Sequence, residues 1–114
     1  MAHCDRGYIC EVCGDEVPEL ENSDLYLRYI LGEIPARELL SAPERHLRCN
    51  PVLSQFIVDP DFDPVQVSGP FSKRELDAAD SRRREERVTL AFRRLREVRE
   101  LGIPVNQYPL PRDS

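Results

Sequence analysis

Cys10-Glu-Val-Cys13 and His46-Leu-Arg-Cys49 are two stretches of the same spacing, and thirty-two residues separate Cys13 from His46. In each stretch, two side chains that bind metal ions stand three positions apart, so both can reach one ion. Gly14 follows the first pair and can adopt the positive φ that such a turn often requires. Cys10, Cys13, His46 and Cys49 therefore predict a tetrahedral zinc site of the Cys3His type, with zinc in a structural role.

The other cysteine and histidine leave alternatives open. His3 and Cys4 lie near the first pair, so either could join the metal site, and a disulfide between two of the four cysteines is a further alternative. A thioredoxin-like redox pair would stand at the start of a helix, whereas Gly14-Asp15-Glu16-Val17-Pro18 follows Cys13. The redox alternative is therefore less favoured than metal binding.

The N-terminal residues and the hydropathy of the chain predict its location. The chain turns charged within its first residues, and it contains no apolar run of the length that a membrane span needs. We therefore expect a cytoplasmic protein without membrane contact. In a reducing cytoplasm, paired cysteines more often bind metal than form structural disulfides, which again favours zinc.

The second ligand pair is predicted to lie beside the start of a helix. Asn50 and Pro51 follow Cys49 as an N-cap residue and a proline at the first helical position, and an apolar stretch continues to Val58. A knuckle followed by such a pair resembles the treble-clef arrangement, and the ligand order Cys-Cys-His-Cys is similar to the first half of a LIM domain. The resemblance covers residues 10 to about 58 and implies a structural zinc. The gap between the pairs is longer than in a LIM finger, and the sequence has no second set of four ligands.

Length and composition indicate one small domain. The chain has 114 residues, of which 40% are hydrophobic, and this supports a folded core. Ten prolines and 32% charged residues indicate much irregular chain. The predicted fold class is mainly α, with a zinc knuckle and a long C-terminal helix. We expect residues 1–71 to form a zinc-stabilised helical body with an acidic linker, and residues 72–114 to add a long charged helix and a proline-rich tail to the same domain.

Two short segments are predicted to be helical between the ligand pairs. Apolar residues at helical spacing indicate a helix that begins at Ser23 or Asp24 and stops at Gly32. A second, shorter helix is expected from Pro35 to Ser41. The insert between the two ligand pairs is therefore predicted to be mostly helical.

The stretch Asp59-Pro-Asp-Phe-Asp-Pro64 has carboxylates at a spacing that is compatible with a calcium loop. An EF-hand loop that begins at Asp59 would need glycine where Pro64 stands and glutamate where Pro70 stands. The sequence therefore predicts a rigid acidic linker at this place instead of a calcium site.

The C-terminal part contains the clearest helical pattern. Ser72-Lys-Arg-Glu75 is a capping box, and neither glycine nor proline follows until Gly102, which predicts one helix from 72 to 101. Its second half carries an apolar stripe: Val88, Ala91, Phe92, Leu95 and Val98. We expect this stripe to dock on the zinc-bound body, with a homodimer through residues 88–101 as the alternative. The charged part from 77 to 87 is expected to be solvated or to project.

Charge is distributed unevenly along the chain. Residues 73–101 carry ten basic and seven acidic side chains, a net of +3, whereas residues 1–71 carry five basic and thirteen acidic ones, a net of −8. Four arginines of the helix could bind phosphates, which makes a nucleic-acid-binding zinc module the alternative function: Arg82, Arg83, Arg84 and Arg87. The arginines also have acidic residues at i,i+4 spacing, for example Asp80 before Arg84, which favours an ion-paired solvent face.

These features together predict a small cytoplasmic zinc-binding protein that acts as a protein-interaction or adaptor module. Its partner is an unidentified protein, and the candidate contact residues are the four arginines with Val88, Phe92 and Leu95. The tail from Gly102 to Pro111 could be an extended ligand for another domain or could fold back over the helix. A zinc-dependent enzyme is less favoured, because four protein ligands close the coordination sphere and no phosphate loop or nucleophile motif is present.

Overall fold

The fold is mainly helical, and two short strands form a hairpin. The computed structural model describes residues 8–17 and 20–110. Within these ranges the chain forms strands β1 (Tyr8–Ile9) and β2 (Glu16–Val17), helices α1 (Asp24–Ile30), α2 (Pro51–Ser54) and α3 (Ala78–Leu101), and 3₁₀ helices at Leu20–Asn22, Ala36–Leu40, Leu47–Cys49, Lys73–Glu75 and Val105–Gln107. About half of the chain is helical, as the predicted mainly α class requires. The radius of gyration of 14.0 Å is close to the value of about 13 Å for a single domain of about 100 residues.

Helix α1 lies where the sequence predicts the first helix. The Ser23 hydroxyl caps its N-terminus by accepting a hydrogen bond from Tyr26 N at 3.1 Å. The apolar residues of α1 are buried on more than one side, so the helix lies between two groups of side chains. The smaller group contains Leu25, Tyr29, Ile34 and Leu39.

The larger group is the main core, and the apolar stripe of α3 forms one wall of it. Val88, Ala91, Phe92, Leu95 and Val98 are each at most 4% exposed. All but Val98 pack in one cluster with residues of α1 and residues in and around α2: Leu27, Ile30, Leu47, Leu53, Phe56 and Ile57. Each such large apolar side chain contributes roughly 1.5–3 kcal/mol when it is fully buried. The stripe residues within the alternative homodimer segment 88–101 are thus buried within the monomer.

Helix α3 begins later than the capping box predicts. Ser72 caps only the short 3₁₀ helix Lys73–Glu75. The N-cap of α3 is Asp77, whose carboxylate accepts a hydrogen bond from Ala79 N at 3.1 Å. The prediction of one helix from 72 to 101 is therefore wrong at the N-terminus. At the C-terminus Gly102 ends the helix in the left-handed conformation, with a φ of +65°, as the sequence predicts.

The buried side chain of Gln55 explains the late start of α3. Its amide nitrogen donates to Phe71 O, and its amide oxygen accepts from Lys73 N, each at 2.9 Å. The Lys73 ammonium also donates to Glu85 of α3 at 2.7 Å. These contacts hold residues 71–73 on the body, so the chain has to turn before α3 can lie along the core.

The two other predicted helices are shorter or tighter than expected. The segment predicted as a helix from Pro35 to Ser41 is the 3₁₀ helix Ala36–Leu40. The helix that follows Asn50 ends at Ser54 and does not reach Val58. Thr89 of α3 explains this early end, because its hydroxyl accepts from Val58 N and donates to Phe56 O. The bond from Val58 N to Thr89 takes the place of the backbone hydrogen bond that this N–H would make in a longer α2, and Phe56 O also has its partner in Thr89.

The acidic stretch after α2, which the sequence predicts to be a rigid linker, is a turn that packs on α3. Asp59 and Phe62 pair as an isolated bridge, with Phe62 N donating to Asp59 O at 3.0 Å. The Asp59 carboxylate accepts from Arg93 at 2.8 Å. The Phe62 ring meets the edge of Phe92, with 5.3 Å between the ring centroids.

The tail folds back on the domain as far as residue 110. Leu110 N donates to Ile30 O, and the Tyr29 hydroxyl donates to Val105 O, each at 3.0 Å. The guanidinium of Arg94 also binds two carbonyl oxygens of the tail, at Gln107 and Tyr108. Of the two alternatives for the tail, the described residues therefore adopt the folded one. No helix in the described part of the chain is long and apolar enough to cross a membrane.

Candidate metal centre

The first cysteine pair lies in the turn of the β1–β2 hairpin. The two strands pair antiparallel, with Ile9 opposite Glu16. Cys10 N donates to Asp15 O at 2.8 Å, and Gly14 N donates to Cys10 O at 3.0 Å, so the backbone curls around the pair. Gly14 has a φ of +81°, which confirms the expected positive value. The hairpin thus presents both sulfurs to the same side.

The second pair belongs to the helical body. His46 precedes the 3₁₀ helix Leu47–Cys49, and Cys49 N donates to His46 O at 3.0 Å, which closes one tight turn. His46 also pairs with Ser23 in an isolated bridge beside the start of α1. The second pair is therefore anchored to α1 before any metal is considered.

The structure brings the four predicted ligands together. Their ligand atoms all lie within 4.8 Å of one another. The Nδ1 atom of His46 is 3.3 Å from Cys13 Sγ and 3.7 Å from Cys49 Sγ. Zn–S bonds of about 2.3 Å and Zn–N bonds of about 2.1 Å place tetrahedral sulfur and nitrogen ligands about 3.6 Å apart. The geometry thus fits one metal ion bound by Cys10, Cys13, His46 and Cys49.

The imidazole of His46 is oriented by a backbone carbonyl of the hairpin. Its Nε2 atom lies 2.8 Å from Glu16 O, and a carbonyl oxygen can only accept, so Nε2 carries the proton. The Nδ1 lone pair then faces the three sulfurs. Histidine ligands of metals usually donate their second N–H to such an acceptor, which fixes the tautomer and the ring. No side-chain pattern predicts this contact, because Glu16 contributes its backbone carbonyl.

The thiols of Cys10 and Cys49 have pKa values that are shifted in opposite directions. Burial opposes ionisation of Cys10, but hydrogen bonds from the backbone of Cys13, His46 and Val12 prevail and lower its pKa to about 6. Burial, together with the neighbouring sulfurs of Cys10 and Cys13, raises the pKa of Cys49 to about 11. Three adjacent thiolates repel one another, and a bound divalent cation would compensate their charge.

The cluster lies at the edge of the domain. Cys10 is 1% exposed, Cys49 is half-buried and Cys13 is exposed. Beside the cluster is a surface cavity of 480 Å³, and Asp15, Asn22 and Arg48 contribute to its lining. His3 and Cys4, the alternative ligands, lie outside the described residues.

The predicted contact residues of α3 divide into two groups. Val88, Phe92 and Leu95 are in the main core, so the monomer does not expose them.

The arginines lie in the more exposed N-terminal half of α3. Arg83 pairs with Asp80, and the guanidinium of Arg84 is 5.1 Å from the centre of the Phe56 ring. Arg87 is half-buried and has a contact of its own. Arg82 is exposed and borders a surface cavity.

In the second half of α3, two arginines pair with residues that are distant in sequence, although an acidic residue stands four positions after each of them. Arg93 binds Asp59, and Arg96 binds Asp61 at 2.9 Å. Arg94 contacts Glu97 at i,i+3 spacing, at 3.6 Å. The acidic turn after α2 thus neutralises part of the basic helix.

The chain matches no protein-family model, no curated protein and no solved structure. The resemblance to LIM and treble-clef modules rests on the four ligand residues and their order. What the structure adds is the convergence of these four residues and the orientation of the histidine.

Proposed function

We propose that this chain is a small cytoplasmic zinc protein that acts as a protein-interaction or adaptor module. The observation that carries the proposal is the Cys3His cluster, in which four ligand atoms lie within 4.8 Å of one another. In this proposal the β1–β2 hairpin is a zinc knuckle, and the whole site is treble-clef-like. Zinc would join the hairpin to the body, while the rest of the surface is free to bind a partner.

Ligand chemistry supports zinc in a structural role. Three thiolates and one imidazole in tetrahedral arrangement are a typical set for structural zinc, whereas hard cations prefer oxygen ligands. Four protein ligands also leave no open position for a catalytic water. Zinc bound in this way supplies a rigid link between the hairpin and the helical body.

The exposed side of α3 is the partner surface that we propose. Leu90 is 43% exposed and Val58 is 55% exposed, and both line a cavity of 410 Å³. Charged residues surround this apolar pair, among them Arg82, Glu86 and Arg93. An apolar centre with a polar rim is typical of protein interfaces. This surface replaces the buried residues of the stripe as the candidate contact.

Zinc analysis tests the first part of the proposal. We expect purified protein to contain one zinc per chain and to lose its cooperative unfolding transition when a strong chelator removes the metal. Zinc binding at such sites contributes on the order of 10 kcal/mol, and small domains have only about 5–15 kcal/mol of stability. Cys49→Ser should therefore unfold much of the domain. A metal-free protein with an unchanged melting curve would contradict the proposal.

A pair of variants tests the second part. Leu90→Asp changes the proposed contact surface, and Leu101→Asp changes an exposed leucine at the far end of the same helix. Both should stay folded and bind zinc. We expect a protein partner that is captured by the wild type to be lost with Leu90→Asp and kept with Leu101→Asp. Equal retention by both variants would place the interface elsewhere.

Nucleic-acid binding is separated from protein binding by its dependence on salt. Phosphate contacts weaken steeply as salt rises, so binding through the arginines would be strongest at low salt. We expect no anisotropy change with labelled duplex DNA or single-stranded RNA at about 50 mM salt. Binding that is abolished by Arg82→Glu, Arg83→Glu and Arg84→Glu together would instead favour the nucleic-acid alternative.

A further inference from the structure

We propose that Asp24 is a positioning residue for the metal centre, although it is not a ligand itself. This inference rests on the proposed zinc site. Asp24 is the first residue of α1 and is 0% exposed, which is unusual for a carboxylate at a helix start. An acidic residue that only favoured the helix dipole would be effective on the surface. Its complete burial needs another explanation.

The explanation lies in what the carboxylate binds. Its Oδ1 atom accepts from Asn50 Nδ2 at 2.8 Å. Its Oδ2 atom accepts from Arg28 Nε at 2.9 Å and lies 3.3 Å from Arg45 Nη2. Asn50 directly follows the ligand Cys49, and Arg45 directly precedes the ligand His46. One buried carboxylate therefore contacts the residue before His46 and the residue after Cys49, so it holds the chain on both sides of the second ligand pair.

The same contacts extend to the hairpin. Arg45 Nε lies 3.5 Å from a carboxylate oxygen of Glu11, the residue after the ligand Cys10. The backbone adds two bonds in the same place, from Glu11 N to Glu44 O and from Asp24 N to Arg45 O, each at 2.9 Å. Asp24 and Arg45 thus connect residues that are next to three of the four ligands, Cys10, His46 and Cys49.

The energetics favour a positioning role over simple stabilisation. Burying the Asp24 carboxylate against two partly buried guanidinium groups costs desolvation energy, which the attraction between the charges often only balances. An ion pair with a buried carboxylate is therefore weak evidence for stability, whereas the hydrogen bonds of Asp24 to Arg28 and Asn50 are directional and fix geometry. The ligands come from two distant parts of the chain. Contacts that hold these parts in place therefore lower the free-energy cost of bringing the four ligands onto one ion. Neighbours that orient ligands typically change metal affinity by 10–100-fold when they are mutated.

The experiment compares zinc affinities by competition with a chromophoric chelator. Asp24→Asn keeps the size of the side chain but presents N–H groups or a neutral oxygen to Arg28 and Arg45. We expect its zinc dissociation constant to rise about 10–100-fold. The visible absorption bands of the cobalt-substituted variant should also change, because they report the geometry of the ligands.

The control is Val98→Ala, which removes buried methyl groups of α3, away from the residues that flank the ligands. It lowers stability without changing the contacts of Asp24. A loss of zinc affinity in Asp24→Asn that is no larger than in Val98→Ala, at equal loss of thermal stability, would overturn the inference. Unchanged cobalt bands would do so as well.

A second variant covers the case in which Asp24→Asn does not fold. Arg45→Gln keeps the buried carboxylate and removes the links to Asp24 and Glu11, so it should also weaken zinc binding and alter the cobalt bands. Wild-type affinity in Arg45→Gln would overturn the positioning role. Failure of the proposed function is distinguishable, since wild-type protein would then bind neither zinc nor cobalt.

Discussion

Thr89 shows how a single hydroxyl replaces regular secondary structure in this small core. It lies on α3 and is 6% exposed. Its Oγ1 atom accepts from Val58 N at 2.8 Å and donates to Phe56 O at 3.2 Å. Both backbone groups belong to the segment after α2, where the helix has ended. Thr89 therefore satisfies the backbone at the point where the chain leaves α2 and begins the acidic turn.

Thr89→Val should lower the free energy of unfolding by about 1–3 kcal/mol, because it keeps the shape and leaves two backbone groups without a partner. Chemical denaturation of the zinc-bound protein measures this difference. Thr89→Ser keeps the hydroxyl and loses one methyl group, so it is the matched control and should be less destabilising. A valine variant as stable as the wild type would show that the hydroxyl is dispensable.

Asp59 gives a pH dependence with a definite sign. A hydrogen bond from Arg93 and one from the backbone of Asp61 outweigh burial and hold the pKa of Asp59 below its ordinary value. Because the pKa is lower in the folded state, the carboxylate stabilises the fold above its unfolded pKa of about 3.9. This contribution disappears as the pH falls through the folded pKa. Asp59 thus contributes no such stability in strong acid.

A carboxyl-carbon NMR titration measures this shift directly. We expect Arg93→Gln to raise the pKa of Asp59 towards its ordinary value, because the first partner is removed. The control is Arg83→Gln, whose arginine pairs with Asp80 instead. An Asp59 that titrates identically in the wild type and in Arg93→Gln would mean that the ion pair does not form in solution.

At the scale of elements, the two ends of helix α3 differ in what determines them. Local sequence determines one end, and contacts with distant residues determine the other. Its C-terminus and the start of α1 were predictable, because Gly102 and Ser23 act on their immediate neighbours. Its N-terminus was not, because two capping residues compete and Gln55, distant in sequence, decides between them. The same distinction applies to the metal centre. Ligand spacing predicted the four residues, whereas the acceptor of His46 and the contacts of Asp24 depend on the folded chain.

Substitution of the two competing caps tests this account of α3. Asp77→Ala should cost about 1 kcal/mol and reduce the hydrogen-exchange protection of the first amides of α3 that are protected in the wild type. Ser72→Ala should leave those amides protected, because its cap belongs to the 3₁₀ helix Lys73–Glu75. A greater loss of protection in Ser72→Ala than in Asp77→Ala would show that the helix begins at the capping box in solution.

At the scale of the whole molecule, the acidic body and the basic helix are folded against each other. The turn that contains Asp59 and Asp61 binds arginines of α3 on its polar side, while Phe62 packs against Phe92. The uneven charge of the sequence is thus partly compensated within the monomer. Exposed charged residues such as Arg82 and Glu86 remain on the N-terminal half of α3, next to the cavity at Leu90.

Two substitutions on α3 test whether its stripe is core or interface. Phe92 is 4% exposed and Leu90 is 43% exposed, although they lie two residues apart. Phe92→Asp should unfold the monomer or destabilise it by more than about 3–5 kcal/mol, the range for removing a buried phenylalanine, because an unpaired charge is buried as well. Leu90→Asp, the matched control, should remain within about 0.5 kcal/mol of the wild type, as is usual for surface substitutions. Denaturation and light scattering together distinguish the alternatives: a wild-type dimer that Phe92→Asp converts into an equally stable monomer would make the stripe an interface between two copies.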